Sequence, residues 1–353
     1  MHPPFWHGKR VLITGHTGFK GSWLSLWLQT LSADLTGYAL EAPTSPSLFE
    51  LAHVADGMFS VSGDLRNLDE LKMIVAERRP EIIIHMGAQS LVRTAYENPI
   101  ETYESNVMGT ANLLEAVRQS CTVRVVVVVT SDKCYESRVV DRPCRESEAM
   151  GGDDPYSSSK GCVELVTAAY RHAYFNASGV AAATARAGNV FGGGDWAKDR
   201  LMTDIFEGLL NDRVIRIRYP QAIRPWQHVQ NALEGYLVLA ERLWENGSAF
   251  SEAWNFGPPE EESRSVAWMV DYLTAAWDGA SGWESDTGEH PHETPVLRLD
   301  SQKARSRLGW VPKVSLEAGL MSVLEWYKAF QAGEDMQQLT LRQILKNHAR
   351  VSV

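Results

Sequence analysis

At 353 residues, 44% of them apolar, the chain is long enough to bury a large core and to form two domains, or one domain with a lobe attached. Its formal charge of −10 argues against nucleic acid as a global partner, because such binding is driven by neutralising phosphates. No window reaches about 18 consecutive apolar residues, and the segment before Arg10 is too short and polar for a secretory signal, so a soluble, cytosolic protein with no membrane segment is expected.

Arg10 to Thr14 reads as a short apolar strand, followed by Gly15-His-Thr-Gly18-Phe-Lys-Gly21 and a helix over 22–31. Glycines three apart at a strand-to-helix turn let backbone approach a pyrophosphate, and the helix N-terminus offers it free N–H groups. A dinucleotide is therefore expected at Gly15, Thr17, Gly18, Phe19, Lys20 and Gly21. The pattern continues with strands at 34–39, 59–62 and 81–86, helices at 48–55 and 67–78, a helix at 100–120 and a strand at 124–130. A helix over 156–177 and a strand over 180–187 follow. Such alternation predicts an α/β fold with a Rossmann-type, doubly wound parallel sheet. Asp64, with Leu65, follows the third strand, where it can accept from an adenine amino group or stand as a solvated turn residue. The small residues Gly87-Ala88, then Gln89, suit close passage of a cofactor.

Five valines at 125–129 predict a strand buried on both faces, so Thr130-Ser131-Asp132-Lys133 falls at its C-terminal end, where open α/β sheets keep their chemistry. Asp153-Asp154-Pro155 starts a helix in which Tyr156 and Lys160 lie one turn apart on one face. An ammonium beside a phenol favours phenolate, which predicts a Tyr156 pKa lowered by Lys160 and a general base for a hydroxyl proton.

In the second half, the glycine turn at 192–194 marks where the chain leaves the cofactor domain. The helix over 229–244 and Ala253-Trp-Asn-Phe256 return to it. Residues 263–277 read as an amphipathic helix, 283–295 as a polar loop and 316–330 as a packing helix. The predicted division is a cofactor domain of 1–188 with 225–257, and a smaller α+β substrate-binding domain of 189–224 and 258–353. His290 and His292 have no third ligand at close spacing, and no metal site is expected. Cys121, Cys134, Cys144 and Cys162 lack ligand or disulfide spacing and read as free thiols. Trp196 and Trp226 are candidate pocket walls.

Taken together, Gly15-x-x-Gly18-x-x-Gly21, Gly63-Asp64, Gly87-Ala88-Gln89, Asn106, Thr130-Ser131-Asp132-Lys133 and Tyr156-x-x-x-Lys160 resemble the extended short-chain dehydrogenase/reductases that act on nucleotide sugars. Gly188-Asn189-Val-Phe-Gly-Gly-Gly-Asp195-Trp196 and Ile223-Arg224-Pro-Trp-Gln-His228-Val229 narrow the resemblance to the branch that dehydrates CDP-glucose, and it runs from about residue 5 to 330. The resemblance implies a dehydrogenase triad of Ser131, Tyr156 and Lys160, with Asp132 as acid to the departing 6-hydroxyl and Lys133 exchanging the C5 proton. It implies cofactor contacts at Asn106 and Thr130 as well as at Tyr156 and Lys160. Substrate contacts are implied at Gln89, Arg93, Asn189, Arg218, Arg224, His228 and Arg298.

NAD is the implied cofactor. The second strand ends Gly37-Tyr38-Ala39-Leu40 with Glu41 beyond it, and no arginine follows to favour a 2′-phosphate. The helices over 100–119 and 156–177 carry apolar residues beyond one face, including Val107, Leu113, Leu114, Val117, Leu165 and Val166. The resemblance then implies a homodimer through a four-helix bundle. Two other functions use the same motifs: a nucleotide-sugar 4-epimerase or reductase, which has no use for an acid/base pair at 132 and 133, and a catalytically silent NAD-binding regulator.

Overall fold

The computed structural model describes residues 1–136, 142–288 and 297–348, so His290 and His292 lie outside the described residues. A seven-stranded, all-parallel sheet forms the centre. Its strands are β1 (Arg10–Thr14), β2 (Asp34–Ala39), β3 (Phe59–Ser62), β4 (Ile82–His85), β5 (Val125–Val129), β6 (Ala181–Arg186) and an edge strand, Ala253–Asn255. From that edge the order is β6, β5, β4, β1, β2, β3, so the winding reverses between β1 and β4. Ligands of such sheets bind outside the strand C-termini at that reversal.

The strands read as unbroken apolar runs because helices cover both faces. Val11, Ile13, Ile82, Ile84, Val125, Val127 and Val129 face one core, with Trp23, Leu24, Leu233 and Leu237. The intervening Leu12, Ile83, Val126 and Val128 face the other, with Leu71, Leu113, Leu114 and Val117. Leu113, Leu114 and Val117, read above as partner-facing, therefore serve the sheet.

Helix boundaries differ from the expected ones in informative ways. The first-turn glycine Gly21 allows the helix after β1 to begin at Phe19, three residues early, because a Cβ there would meet Gly15 O at 2.0 Å. The two long helices after β4 and β5 each contain a π-turn, at Glu104–Met108 and Arg171–Phe175. Short helices at Val92–Glu97 and longer ones at Leu201–Leu210 and Met336–His348 were not expected. Smaller strand pairs and the helices Leu201–Leu210, Val266–Ala275 and Leu316–Gln331 form an α+β portion beside the sheet. Among the described residues no helix is long and apolar enough to cross a membrane, and all four cysteines are free.

One buried ion pair fastens the helix Pro155–Tyr170 to the sheet. Arg186, at the end of β6, donates from Nε and Nη2 to the two Glu164 carboxylate oxygens at 2.9 and 2.7 Å. The hydroxyls of Thr130 and Thr184 donate to the same carboxylate at 2.5 and 2.6 Å. Removing one member of such a pair leaves an uncompensated buried charge. Arg186→Met is expected to destabilise the fold by about 3–5 kcal/mol, read from the chemical unfolding midpoint. A change below about 1 kcal/mol would show that the pair is not fully desolvated.

Candidate active site

A cleft of about 1200 Å³ opens along the C-terminal ends of the strands, and Ser131, Asp132, Lys133 and Tyr156 all line it. Ser131 is extended and caps the 3-10 turn Asp132–Cys134, accepting from Lys133 N at 3.2 Å. Its hydroxyl donates to Asp132 Oδ1 at 3.0 Å and is also hydrogen-bonded to Tyr156. The hydroxyl has a single proton, so Asp132 and the Tyr156 oxygen compete for it. Asp132 is 4% exposed, and its Oδ2 has no partner.

Tyr156 and Lys160 are both buried, one turn apart in the helix capped by Asp154, which accepts from Ser157 N at 2.9 Å. Lys160 Nζ stands 6.0 Å from the Tyr156 ring centroid. The phenol is nevertheless pushed up to about 12 by burial, which outweighs the Ser131 hydrogen bond, with the Asp132 charge adding to it. The expected lowering of the Tyr156 pKa is thus reversed in the protein alone. Burial also lowers the Lys160 ammonium to about 8. Desolvation disfavours the charged form of each group, and it is the largest influence on both.

The glycine turn fits a dinucleotide. A Cβ on Gly15 would meet Gly87 N at 2.7 Å and one on Gly21 would meet Gly15 O at 2.0 Å, so both glycines are needed for internal packing. At Gly18 a Cβ would find only Gly15 O, at 3.5 Å, so bare backbone there faces open space at a helix N-terminus. Phe19 and Lys20 line the cleft. Burial, then the charges of Lys160 and Arg200, lower the Lys20 ammonium to about 7. The Thr17 hydroxyl donates to Leu40 O at 2.9 Å. Asp64, expected to meet adenine, is held by Arg66 Nε and Nη2 at 2.8 and 2.6 Å. Leu65 is buried and packs where a Cβ on Gly87 would fall, 2.7 Å from its Cδ1.

Gln89 and Asn106 act on the frame of the cleft. Asn106 Oδ1 accepts from Gln89 N at 2.8 Å, while its Nδ2 donates to Gln89 O at 3.0 Å and Ser159 Oγ at 2.9 Å. The Gln89 amide is spent on Leu91 and Thr102. His228 is not brought to the cleft. It is 1% exposed, caps the helix Val229–Asn246 and packs edge-on to Trp23 and Phe191, and burial lowers it to about 3. Trp226 lines the cleft, whereas Trp196 packs among Trp326, Tyr327 and Phe330.

The cleft also carries a set of arginines. Arg93, Asn189, Arg218, Arg224 and Arg298 all line it. Arg93 and Arg218 share Asp199 Oδ1 at 3.4 and 3.1 Å, and Arg298 pairs with Glu260 at 2.9 Å. Arg224 is 3% exposed and donates to Ile223 O at 2.8 Å. Planar guanidinium forks in a partly desolvated cleft suit an anionic diphosphate.

Sequence reasoning missed Asp195 and Arg200. Arg200 donates to both Asp195 oxygens, at 3.0 and 2.8 Å, and to Ser90 Oγ at 2.9 Å, which ties the second half of the chain to the loop after β4. The Gly-Gly-Gly-Asp-Trp block contained Asp195, but nothing in the spacing linked it to Arg200.

The chain is similar to known proteins along most of its length. The family model described as GDP-mannose 4,6 dehydratase matches residues 12–323. The chain is 52% identical over 345 residues to CDP-glucose 4,6-dehydratase of Salmonella typhimurium, covering 96% of each chain. Among solved structures, the Thermus thermophilus UDP-glucose 4-epimerase complex with NAD superimposes with a TM-score of 0.78 at 22% identity, covering 90% of this chain and 98% of that one. The Bacillus anthracis dTDP-glucose 4,6-dehydratase in complex with NAD gives 0.75 at 22% identity, covering 93% and 99%.

Lys20 carries its charge below about pH 7 and loses it above, because burial has lowered its pKa. Affinity for NAD⁺, an anion at its pyrophosphate, is therefore expected to fall as pH rises through that value. One charge-assisted hydrogen bond of about 1.5 kcal/mol corresponds to roughly tenfold. Calorimetric titration across about pH 6 to 8.5 should show this in the parent and a flat profile in Lys20→Met. A flat profile in the parent would remove Lys20 from the phosphate site.

Proposed function

The chain belongs to the GDP-mannose 4,6 dehydratase family of extended short-chain dehydrogenase/reductases, and from that premise we propose that it is an NAD-dependent hydro-lyase converting CDP-glucose to CDP-4-dehydro-6-deoxyglucose and water. The observation that carries the reading is the 52% identity along 96% of the chain, and the Asp132-Lys133 pair beside Ser131 and Tyr156 in one cleft supports it.

In this reading the turn from Gly15 to Gly21, with Thr17, Phe19 and Lys20, would hold the dinucleotide, and Lys160 would hold its ribose. When bound, NAD⁺ supplies the hydride acceptor for C4 of the sugar and the donor for C6. Ser131 holds the 4-hydroxyl while Tyr156 receives its proton. A phenol pushed up by burial holds such a proton well but ionises reluctantly, and the Ser131 hydrogen bond works against that reluctance. The ketone formed at C4 acidifies the C5 proton. Lys133 in its neutral amine form accepts that proton, and Asp132 in its carboxylic acid form protonates the departing 6-hydroxyl, which leaves as water. Protonation at C5 as C6 is reduced completes the product. Arg93, Arg218, Arg224 and Arg298, with Asn189, hold the nucleotide diphosphate.

The 4-epimerase or reductase reading uses the same triad, but it assigns nothing to Asp132 and Lys133. We further propose a cytoplasmic homodimer. Ile100, Met108, Leu165 and Tyr174 are 69, 55, 61 and 46% exposed on the two helices after β4 and β5, an apolar surface of the kind that a second copy covers.

With CDP-glucose carrying deuterium at C4, mass spectrometry is expected to show loss of one water and deuterium retained at C6. A C4 epimer or an oxidised sugar without water loss would overturn the dehydratase reading. Asp132→Asn and Lys133→Ala are each expected to slow water loss roughly 10²-fold or more, with Lys133→Ala also suppressing solvent exchange at C5. Parent-like exchange in Lys133→Ala would remove it as the base. Light scattering at working concentration should give twice the chain mass, and a monomer would sink the dimer.

A further inference from the structure

We propose that Gly188 is a positioning residue for the elimination step, its missing side chain leaving the space in which the Asp132 carboxyl stands. The inference rests on the dehydratase reading for its kinetic consequence, but not for its geometry. A Cβ built on Gly188 would meet Asp132 Oδ2 at 1.8 Å, Cγ at 2.1 Å and Oδ1 at 2.6 Å. These are its three nearest atoms, and all belong to one carboxyl group.

Steric pressure at this point can relax in two ways, and the backbone route is closed. Gly188 follows β6, whose last residue accepts at Arg186 O from Phe256 N at 2.8 Å. On the other side Asn189 O accepts from Gln227 N at 3.2 Å, and Val190 pairs with Gln227 in a short parallel ladder. The Gln227 side chain also donates to Gly188 O at 3.5 Å and Phe256 O at 2.7 Å. Asp132, by contrast, is held by the Ser131 hydroxyl on Oδ1 and by nothing on Oδ2. A side chain at 188 is therefore accommodated by rotating the carboxyl, which breaks its bond to Ser131. No positive φ demands glycine at 188, so backbone conformation gives no competing reason for it.

A carboxyl acting as acid to a departing hydroxyl must stand within hydrogen-bond reach of that oxygen, and a displacement of about 1 Å costs on the order of 10²-fold. Oxidation at C4 uses Ser131 and Tyr156 and makes no demand on the free Oδ2. Loss of elimination with oxidation retained is thus the signature expected of Gly188→Ala, and a general folding defect would not produce it.

The test mixes Gly188→Ala, NAD⁺ and CDP-glucose and follows reduced cofactor by absorbance and water loss by mass spectrometry. Reduced cofactor is expected to form within about threefold of the parent rate and to accumulate, while water loss falls roughly 10²-fold. The double variant Gly188→Ala/Asp132→Asn should be no slower than Asp132→Asn alone, since both changes act through one carboxyl. Water loss at the parent rate, an equal fall in both steps, or multiplied losses in the double variant would overturn the proposal. A crystal structure of Gly188→Ala reads the positioning directly: the Asp132 carboxyl turned off the Ser131 hydroxyl is expected, and an unmoved carboxyl overturns it. A parent that loses no water from CDP-glucose would instead fell the dehydratase reading, with the crystal structure still deciding the role of Gly188.

Discussion

The pairing of Glu164 with Arg186 is the constraint on which the cleft depends. Both side chains are nearly fully buried, at 5% and 4% exposed, so each would be costly alone. Their bidentate contact is completed by the hydroxyls of Thr130 and Thr184, and Arg186 Nη1 donates onward to Tyr135 Oη at 2.9 Å. Tyr135 in turn donates to Asn255 Oδ1 at 2.6 Å, and the Asn255 amide reaches Cys144 O and Asp300 O. The network therefore joins β5, β6, the edge strand and the helix Pro155–Tyr170 at one depth. Glu164 stands one turn beyond Lys160 on that helix, and Thr130 immediately precedes Ser131. Groups from two separate elements are held in one frame because the pair leaves neither element free to slide. A hydrophobic pair of equal volume could contribute as much stability, but it would not fix the helix azimuth in this way.

Burial then decides the electrostatics of the cleft. It raises the Tyr156 phenol and lowers the Lys160 and Lys20 ammonium groups, so burial shifts all three toward their neutral forms where the sequence suggested a phenolate beside an ammonium. Spacing in a helix says that two heads share a face; it does not say how far apart or how wet they are. Desolvation is the largest influence on the phenol, and it outweighs every charge around it. The Asp132 charge works in the same direction, and the Ser131 hydroxyl and the Arg200 charge oppose it. Burial, more than the Tyr–Lys spacing, governs the basicity of the site.

What the sequence made legible follows from local rules. Valines at 125–129 announced a strand covered on both faces, and the alternation of strand and helix announced the doubly wound sheet. The catalytic candidates followed because they sit at the ends of those elements. Contacts between distant segments were not legible: Arg200 with Asp195 and Ser90 depends on how the second half folds back. His228 sat in a distinctive motif, yet its neighbours Trp23 and Phe191 are far away in sequence, and they make it a core residue. The helix Met336–His348 did carry a signal, since Met336, Leu339, Thr340, Gln343 and Ile344 are buried at helical spacing. Two of those five are polar, which hid the stripe from an apolar-periodicity reading.

The glycines show why a motif is a weaker statement than the contact that requires it. Gly15, Gly18 and Gly21 look alike in the sequence, but Gly15 and Gly21 are demanded by backbone packing a few residues or one strand away, whereas Gly18 meets almost nothing inside the protein. Its lack of a side chain makes sense only toward a ligand. Gly37 and Gly63 answer to the rings of His16 and Tyr38, so they record the choice of a neighbour and not of a turn. Gly188 belongs to this second kind, with a carboxyl in place of a ring. Where the excluded atoms belong to backbone, glycine maintains the fold; where they belong to one mobile side chain, it maintains that side chain's aim. The second demand falls on function before stability, because the chain can refold around a rotated carboxyl but the reaction cannot.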